Sequence, residues 1–405
     1  MKPRKIMLAP VDLVFTGREG YSVECLLRFP YALDEKRLTQ AVQHTTRKFF
    51  PINGRLIPNA QSGYLVEENA AGIDFQILPS LTNLDFRSPQ DVAVFSQPIH
   101  SIPGESLARL RYTQVGTGSA LGLHVSHCLV DGYSYFFFLG ALAAAYRTSK
   151  LAFWQNIRWA LLRPDFDRAK LIPAQVNTTT SPHLHGVDAE DVFRRTGLTV
   201  AEPRCFPALR DSQWEFIEFT EANLQALLSE ASKTCERRLS RHDVLTARLW
   251  KLTAEKWRSP DRHLSCTSAF DYRRLHAKLS PLFFGNAVRT TAASLDREDI
   301  IAMPLGKLAE QIRQATDAIN EVAANDSLSC LAEIYRLHGL EPFANFHVSH
   351  PQHGLLVTNL SRIPMTQLDF GGGPPEEIVP LTPAPRVAIV LAAKDGVVVR
   401  LQGTK

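Results

Sequence analysis

The chain has no C-x-x-C pair, and no histidine cluster stands near its cysteines at zinc-ligand spacing, so neither a zinc ribbon nor a dithiol redox site fits it. The six cysteines, at 25, 128, 205, 235, 266 and 330, are scattered, a pattern of reduced thiols in a cytoplasmic setting rather than of a disulfide framework. There is no Walker loop and no G-x-G-x-x-G fingerprint, which argues against nucleotide hydrolysis and dinucleotide redox chemistry. Charge of one sign is also scarce: a net +4 over 405 residues is too little to make nucleic acid the partner. No apolar run reaches bilayer length. The most apolar stretch, Tyr133 to Tyr146, is too short to span and reads as a buried helix. Pro10 and Asp12 interrupt the N-terminal run before a signal core forms. These absences leave the cytoplasm as the expected location, with no transmembrane segment.

What is present is an ordinary globular composition, 45% hydrophobic and 21% charged. The length exceeds what one core sustains, so two domains are expected. A helix is expected from Asp34 to Phe50, with Asp34 as cap and Leu38, Val42, Thr45 and Phe49 on one face, stopped by Pro51. Ser119 to His127 reads as a strand, followed by a tight turn at Asp131-Gly132 and an apolar helix from about Ser134. The stretch 172–213, rich in Pro and Thr, reads as a crossover linker between domains at 1–171 and 214–405. Beyond it come a strand Trp214 to Phe219, a helix capped by Thr220 and a helix opened by Ser240-Arg241-His242-Asp243. A late hairpin pairs 387–391 with 397–401 across Asp395-Gly396. Strands and helices mix in both halves, so the class is α/β, in the mixed α+β sense.

The chemical signal is His127-Cys128-Leu129-Val130-Asp131-Gly132, a His-x-x-x-Asp-Gly hexapeptide. With 13 histidines, chance supplies only about 0.04 such matches. A neutral imidazole acting as a base needs one nitrogen toward substrate and the other held by the protein, which a strand end before a sharp turn provides. Strand parity puts Leu123, Val125 and His127 on one face and His124 on the other, which favours His127 as the base. Cys128 faces away from its neighbour, so a Cys-His dyad is not expected and the thiol reads as buried and inert.

The hexapeptide resembles the motif shared by chloramphenicol acetyltransferase, the condensation domains of nonribosomal peptide synthetases and the BAHD acyltransferases. Further strings favour the BAHD branch. Pro51 to Leu56 is similar to Pro-Leu-Ala-Gly-Arg-Leu, Ser240 to Trp250 to the Ser-started helix ending in Leu-Trp, and Asp271-Tyr272-Arg273 to Asp-x-Arg. Phe284-Gly285-Asn286-Ala287-Val288 is identical to a common family string, and Asp369 to Gly373 is similar to Asp-Phe-Gly-Trp-Gly. These stand in family order over residues 51 to 373. The chain departs from the pattern at Gly372, where the family has Trp, and at Asn359-Leu360, where plant members have Ser-Trp, so plant-type acceptors such as shikimate do not carry over.

The resemblance implies two chloramphenicol acetyltransferase-like domains and an acyltransferase that moves an acyl group from acyl-CoA to a hydroxyl or amine of a small, apolar acceptor. It implies His127 as general base in a channel between the halves, with Thr358 as a hydroxyl donor near the oxyanion. Asp131 would pair with Arg273 in a structural role beside Gly132, with Asp369 and Gly371 shaping a loop away from the chemistry. Ser240, Arg241 and Arg238 are expected to meet the CoA phosphates at a helix start. Acyl-CoA would be a cosubstrate, with no tightly bound cofactor, no metal and a monomeric enzyme. Two alternatives stay open: a transferase fed by a carrier-protein phosphopantetheine arm, and a non-catalytic binding scaffold. A further reading places Leu151 to Leu162, with its aromatics near basic residues, at a membrane surface or against the protein's own core.

Overall fold

The computed structural model describes residues 2–148, 162–173, 187–259 and 261–403. Two large sheets organise the chain. The first comprises β1 (Ser22–Phe29), β2 (Asp74–Ile77), β3 (Ala108–Val115), β4 (Gly118–Ser126) and one strand from far downstream. The second comprises β5 (Trp214–Phe219), β6 (His263–Asp271), β7 (Val288–Asp296), β8 (Gly354–Asn359), β10 (Val387–Ala392) and β11 (Val397–Gln402). The downstream strand of the first sheet is β9 (Glu377–Pro380). Strand order is β9-β1-β4-β3-β2 in the first sheet and β7-β6-β8-β10-β11-β5 in the second. The second sheet is mixed, with β8 parallel to both β6 and β10.

The expected local elements form. Helix α1 (Glu35–Lys48) is capped by Asp34, whose carboxylate accepts the Arg37 amide. Helix α2 (Gly132–Thr148) is the apolar helix, starting two residues before Ser134 and directly at the glycine of the hexapeptide. Phe49, past the end of α1, packs its ring edge-on against Phe138 at 5.5 Å and Phe284 at 5.0 Å, joining the two halves through aromatic contact. The stretch read as a linker carries helix α3 (Ala189–Thr196), capped by Asp188 and ended by Gly197 at φ 73°. Its Val192 is buried while Glu190 and Arg194 are exposed, an amphipathic turn pattern too short to stand out among the surrounding prolines. Helices α4 (Glu221–Ser232), α5 (Arg241–Lys256) and α6 (Leu305–Asp317) pack about the second sheet, with Trp250 of α5 buried there. Helix α7 (Glu321–His338) joins the larger core instead.

That larger core draws on both halves, from Leu8 and Val125 to Phe284, Leu331 and Ile389. Strand β9 adds a backbone link: Ile378 and Val379 pair with Leu27 and Leu26 of β1. The return of chain to the first sheet leaves Pro380, Thr382 and Ala384 beside β1, where they wall a cavity between the sheets. Residues 149–161, and with them most of the proposed surface segment, lie outside the described residues. Among the described residues no helix is long and apolar enough to cross a membrane.

Candidate active site

Strand β4 ends at Ser126, so His127 is the first residue beyond it. Its amide still donates to the Tyr21 carbonyl at 2.9 Å, which holds the chain in line with the sheet. The imidazole stacks on Phe15, with centroids 3.9 Å apart and planes 16° from parallel. Its Nδ1 lies 3.2 Å from Asn286 Oδ1. Asn286 Nδ2 donates to Asp12 Oδ1 at 2.7 Å and to the His127 carbonyl at 2.8 Å. Both amide hydrogens are thus committed to acceptors, so the oxygen must face the ring, and Nδ1 must carry the proton. The other nitrogen, Nε2, is left with its lone pair and has no hydrogen-bond partner among the described residues. Burial pulls the His127 pKa below its ordinary 6.5, against the opposing pull of its own carbonyl, the Asp131 charge and Asn286. The ring is therefore neutral at pH 7, as a base must be.

Asp131 points away from the imidazole. Arg273 Nη1 and Nη2 hold its two oxygens at 2.7 and 2.9 Å, and the Ser134 and Ala287 amides donate to it at 2.9 and 3.0 Å. Burial works to raise its pKa, but the Arg273 charge and these donors outweigh it and keep the carboxyl below its usual range. With all four contacts made, Asp131 fastens the start of α2 to the strands around Arg273 and takes no part in a triad. A Cβ on Gly132 would lie 2.8 Å from Leu360 Cδ2, so the glycine lets α2 approach the loop after β8.

His127 and Thr358 line the same cavity, of about 140 Å3, between the sheets. Its walls are mostly apolar, including Val14, Leu331, Leu356 and Ile389. The Thr358 hydroxyl makes no hydrogen bond among the described residues. A second cavity, about 590 Å3, shares Ala269 with the first; Thr358 and Asn359, consecutive on β8, line one each. Ser240 and Arg241 stand in the wall of this second cavity with Arg313 and Arg362. A third, about 710 Å3, shares Tyr21, Ser22, Glu24, Thr382 and Ala384 with the first. The three abut in series, with His127 in the middle one.

Not every expected residue reaches these spaces. Arg238 is exposed and lines none of them. Ser240 is engaged in its cap: its amide donates to Asp243 Oδ2 at 2.7 Å and its hydroxyl accepts from the Asp243 amide at 3.3 Å. Arg241 pairs with Glu221 at 3.0 Å. Asp369 accepts from the Gly371 and Gly373 amides at 2.5 and 2.9 Å, closing a loop that none of the cavities includes. Gly371 and Gly373, at φ 108° and 110°, need their missing side chains. At Gly372 a Cβ would fall 2.7 Å from the Tyr31 ring, so Tyr31 fills the space beside this loop. Cys128 is buried against Ser126, and burial pushes its thiol up to about 12, in line with an inert role.

Three residues that position the imidazole carried no assigned role in the sequence. Asn286 stands in a string valued only for its resemblance. Asp12 served there only to break an apolar run, yet it is fully buried, held by the Ala9 amide at 2.8 Å and near Arg168 Nε at 3.4 Å. Phe15 sits over a hundred residues from the histidine it stacks on, and no local spacing reports that. A Cβ on Gly285 would lie 2.6 Å from the Arg168 guanidinium, so this glycine leaves room for the arginine beside Asp12. His124, on the opposite parity, is fully buried and pairs with Glu24 at 3.1 Å.

Residues 21–396 match the model of the Transferase family. Among curated relatives, "Acyltransferase GLAUCE" of Arabidopsis thaliana is 22% identical over 373 residues, covering 87% of this chain and 76% of that protein. Vinorine synthase of Rauvolfia serpentina is 22% identical over 403 residues, covering 92% and 83%. Among solved structures, F. sporotrichioides TRI101 complexed with coenzyme A and T-2 superposes with a TM-score of 0.73 at 16% identity, covering 98% of this chain and 94% of that one. The vinorine synthase structure gives 0.67 at 19%, covering 100% and 95%. The mixed α/β, chloramphenicol acetyltransferase-like fold expected from the sequence is the fold of these structures.

Proposed function

The chain belongs to the Transferase family of BAHD-type acyltransferases, and from that premise we propose that it transfers an acyl group from acyl-CoA directly to a hydroxyl or amine of a small, mostly apolar acceptor, with His127 as the general base. The observation that carries this reading is the single bare nitrogen, His127 Nε2, on a neutral ring whose other nitrogen is locked by Asn286. In the proposed step the acceptor O–H or N–H gives its proton to Nε2 as its heteroatom attacks the thioester carbonyl. The C–S bond then breaks, and the imidazolium returns the proton to the departing thiolate. The products are the ester or amide and free CoA. The base is worth about 10²–10⁴ in rate. The free hydroxyl of Thr358 is suited to donate to the oxyanion in the mostly apolar cavity. Arg273 and Asp131 act as positioning residues, through the strand end and helix start that frame the ring.

The CoA is assigned to the cavity at the start of α5. Arg241, Arg313 and Arg362 there, with the helix amides, suit phosphates, while the acceptor enters on the Tyr21 side. TRI101 was crystallised with coenzyme A and a mycotoxin, which supports a CoA donor and a small-molecule acceptor for this chain. The test is incubation of the purified protein with free acyl-CoA esters and a panel of small alcohols and amines, following thiol release and product mass. Acceptor-dependent thiol release without any carrier protein is the expected result. No release with any free CoA ester, but release from an acylated carrier protein, would overturn the CoA assignment.

A further inference from the structure

The wall of the His127 cavity holds an arginine that the proposed reaction does not use. Arg289 lies on β7, the edge strand of the second sheet, opposite Phe270 of β6, and lines the cavity with Thr196, Thr290 and Ser327. Among the described residues its guanidinium makes one hydrogen bond, from Nη2 to the Arg195 carbonyl at 2.9 Å. Among the described residues its Nε, shielded from solvent, has no partner, and Arg289 forms no ion pair. The acid that acts on it from a distance, Asp326, is itself held by Arg195 at 3.0 Å.

The buried arginines near the site are provided for, whereas Arg289 is partly buried and is not. Arg273 has Asp131, Arg168 has Asp12, and Arg204 donates to the carbonyls of Glu19, Val14, Phe343, Phe346 and Thr16. Arg386 and Arg400 also lack an acid, but neither lines the cavity. A partly buried cation whose shielded Nε lacks an acceptor, set in a mostly apolar wall, is favoured when something brings it an anion. Burial does pull the Arg289 pKa below its ordinary value. A carboxylate is the small anion whose two oxygens match a guanidinium. Glu24, the other charged side chain in this lining, is already paired with His124 and is placed where the first and third cavities meet.

We infer that Arg289 binds a carboxylate carried by one of the two substrates, either at the far end of the acyl group or on the acceptor. This rests on the acyl-transfer reading above for what enters the cavity. The test uses equilibrium binding to full-length protein carrying His127→Ala, so that bound ligands are not consumed. The donor arm compares succinyl-CoA with butyryl-CoA, which have equal acyl chain length and differ in the terminal carboxylate. The acceptor arm compares 3-(4-hydroxyphenyl)propanoate with its methyl ester. One arm is expected to show a preference for the acid of about tenfold or more, and that arm identifies the source. Adding Arg289→Gln should abolish the preference while the neutral ligand binds as before, and Arg289→Lys should keep part of it. No preference in either arm overturns the inference. So does a preference that survives Arg289→Gln, or an equal loss for acid and neutral ligand. If Arg289→Gln does not fold, the preference in the two arms before substitution and its partial retention in Arg289→Lys decide the matter. Failure of the acyl-CoA reading looks different: butyryl-CoA would then not bind at all.

Discussion

At the scale of single residues, the site rests on one hydrogen-bond direction. Asn286 spends both amide hydrogens on Asp12 and the His127 carbonyl, which forces the imidazole tautomer. Asn286→Ala is expected to leave the ring free to turn, lowering kcat by about 10² through misplacement of the base, with little change in KM for the acyl-CoA. Steady-state kinetics on the folded variant check this. The direction of the His127 shift fixes a pH dependence. The ring's pKa lies below 6.5, so kcat/KM should hold steady as pH falls to 6.5 and drop only as it passes through the lowered value. The depressed value also means that the stability His127 contributes is full above 6.5 and lost as pH falls below it. A pH profile with its acid limb above 6.5 would contradict the buried, neutral imidazole. Asp131→Asn acts differently. It leaves the buried Arg273 with only Asp271, at 3.1 Å, for charge, and should cost about 3 kcal/mol, the lower end for a broken buried pair. Urea denaturation should show that loss, and activity should fall with it.

Elements explain which of these residues could be read in advance. The parity of one strand separated His127 from His124 and Cys128, because the side-chain period of two is local and rigid. The caps at Asp34, Thr220 and Ser240 and the turn at Gly396 were legible for the same reason: each is decided within four residues. Strand β9 was not legible. Four residues between a Gly-rich loop and a hairpin carry no sign that they pair with Leu26 and Leu27, some 350 positions earlier. Helix α3 was hidden by its proline- and threonine-rich surroundings. The loop at 369–373 shows the same limit. Gly372 reads as a departure from its family, and its cause, the Tyr31 ring, lies in another part of the chain. Gly372→Ala should press that ring off its position, disturb the Tyr31 hydroxyl's bond to the Gly373 carbonyl at 2.6 Å and cost about 1–3 kcal/mol of overpacking. Adding Tyr31→Ala should make the pair less destabilised than the two losses summed, as measured by a denaturant double-mutant cycle.

At the scale of the molecule, one cavity lies between the two sheets and abuts two others, and His127, the proposed base, lines the middle one. Spaces at both ends suit a donor and an acceptor held at once. Initial rates should therefore give intersecting double-reciprocal lines, whereas parallel lines would mean an acyl-enzyme. Cys128, pushed up to about 12, offers no thiolate for such an intermediate. The most direct test is a single-turnover measurement on His127→Ala saturated with acyl-CoA and acceptor. The expected result is a folded protein that binds the CoA ester as before and transfers about 10² to 10⁴ times more slowly. Transfer at the unsubstituted rate by that folded variant would contradict the assignment of the base.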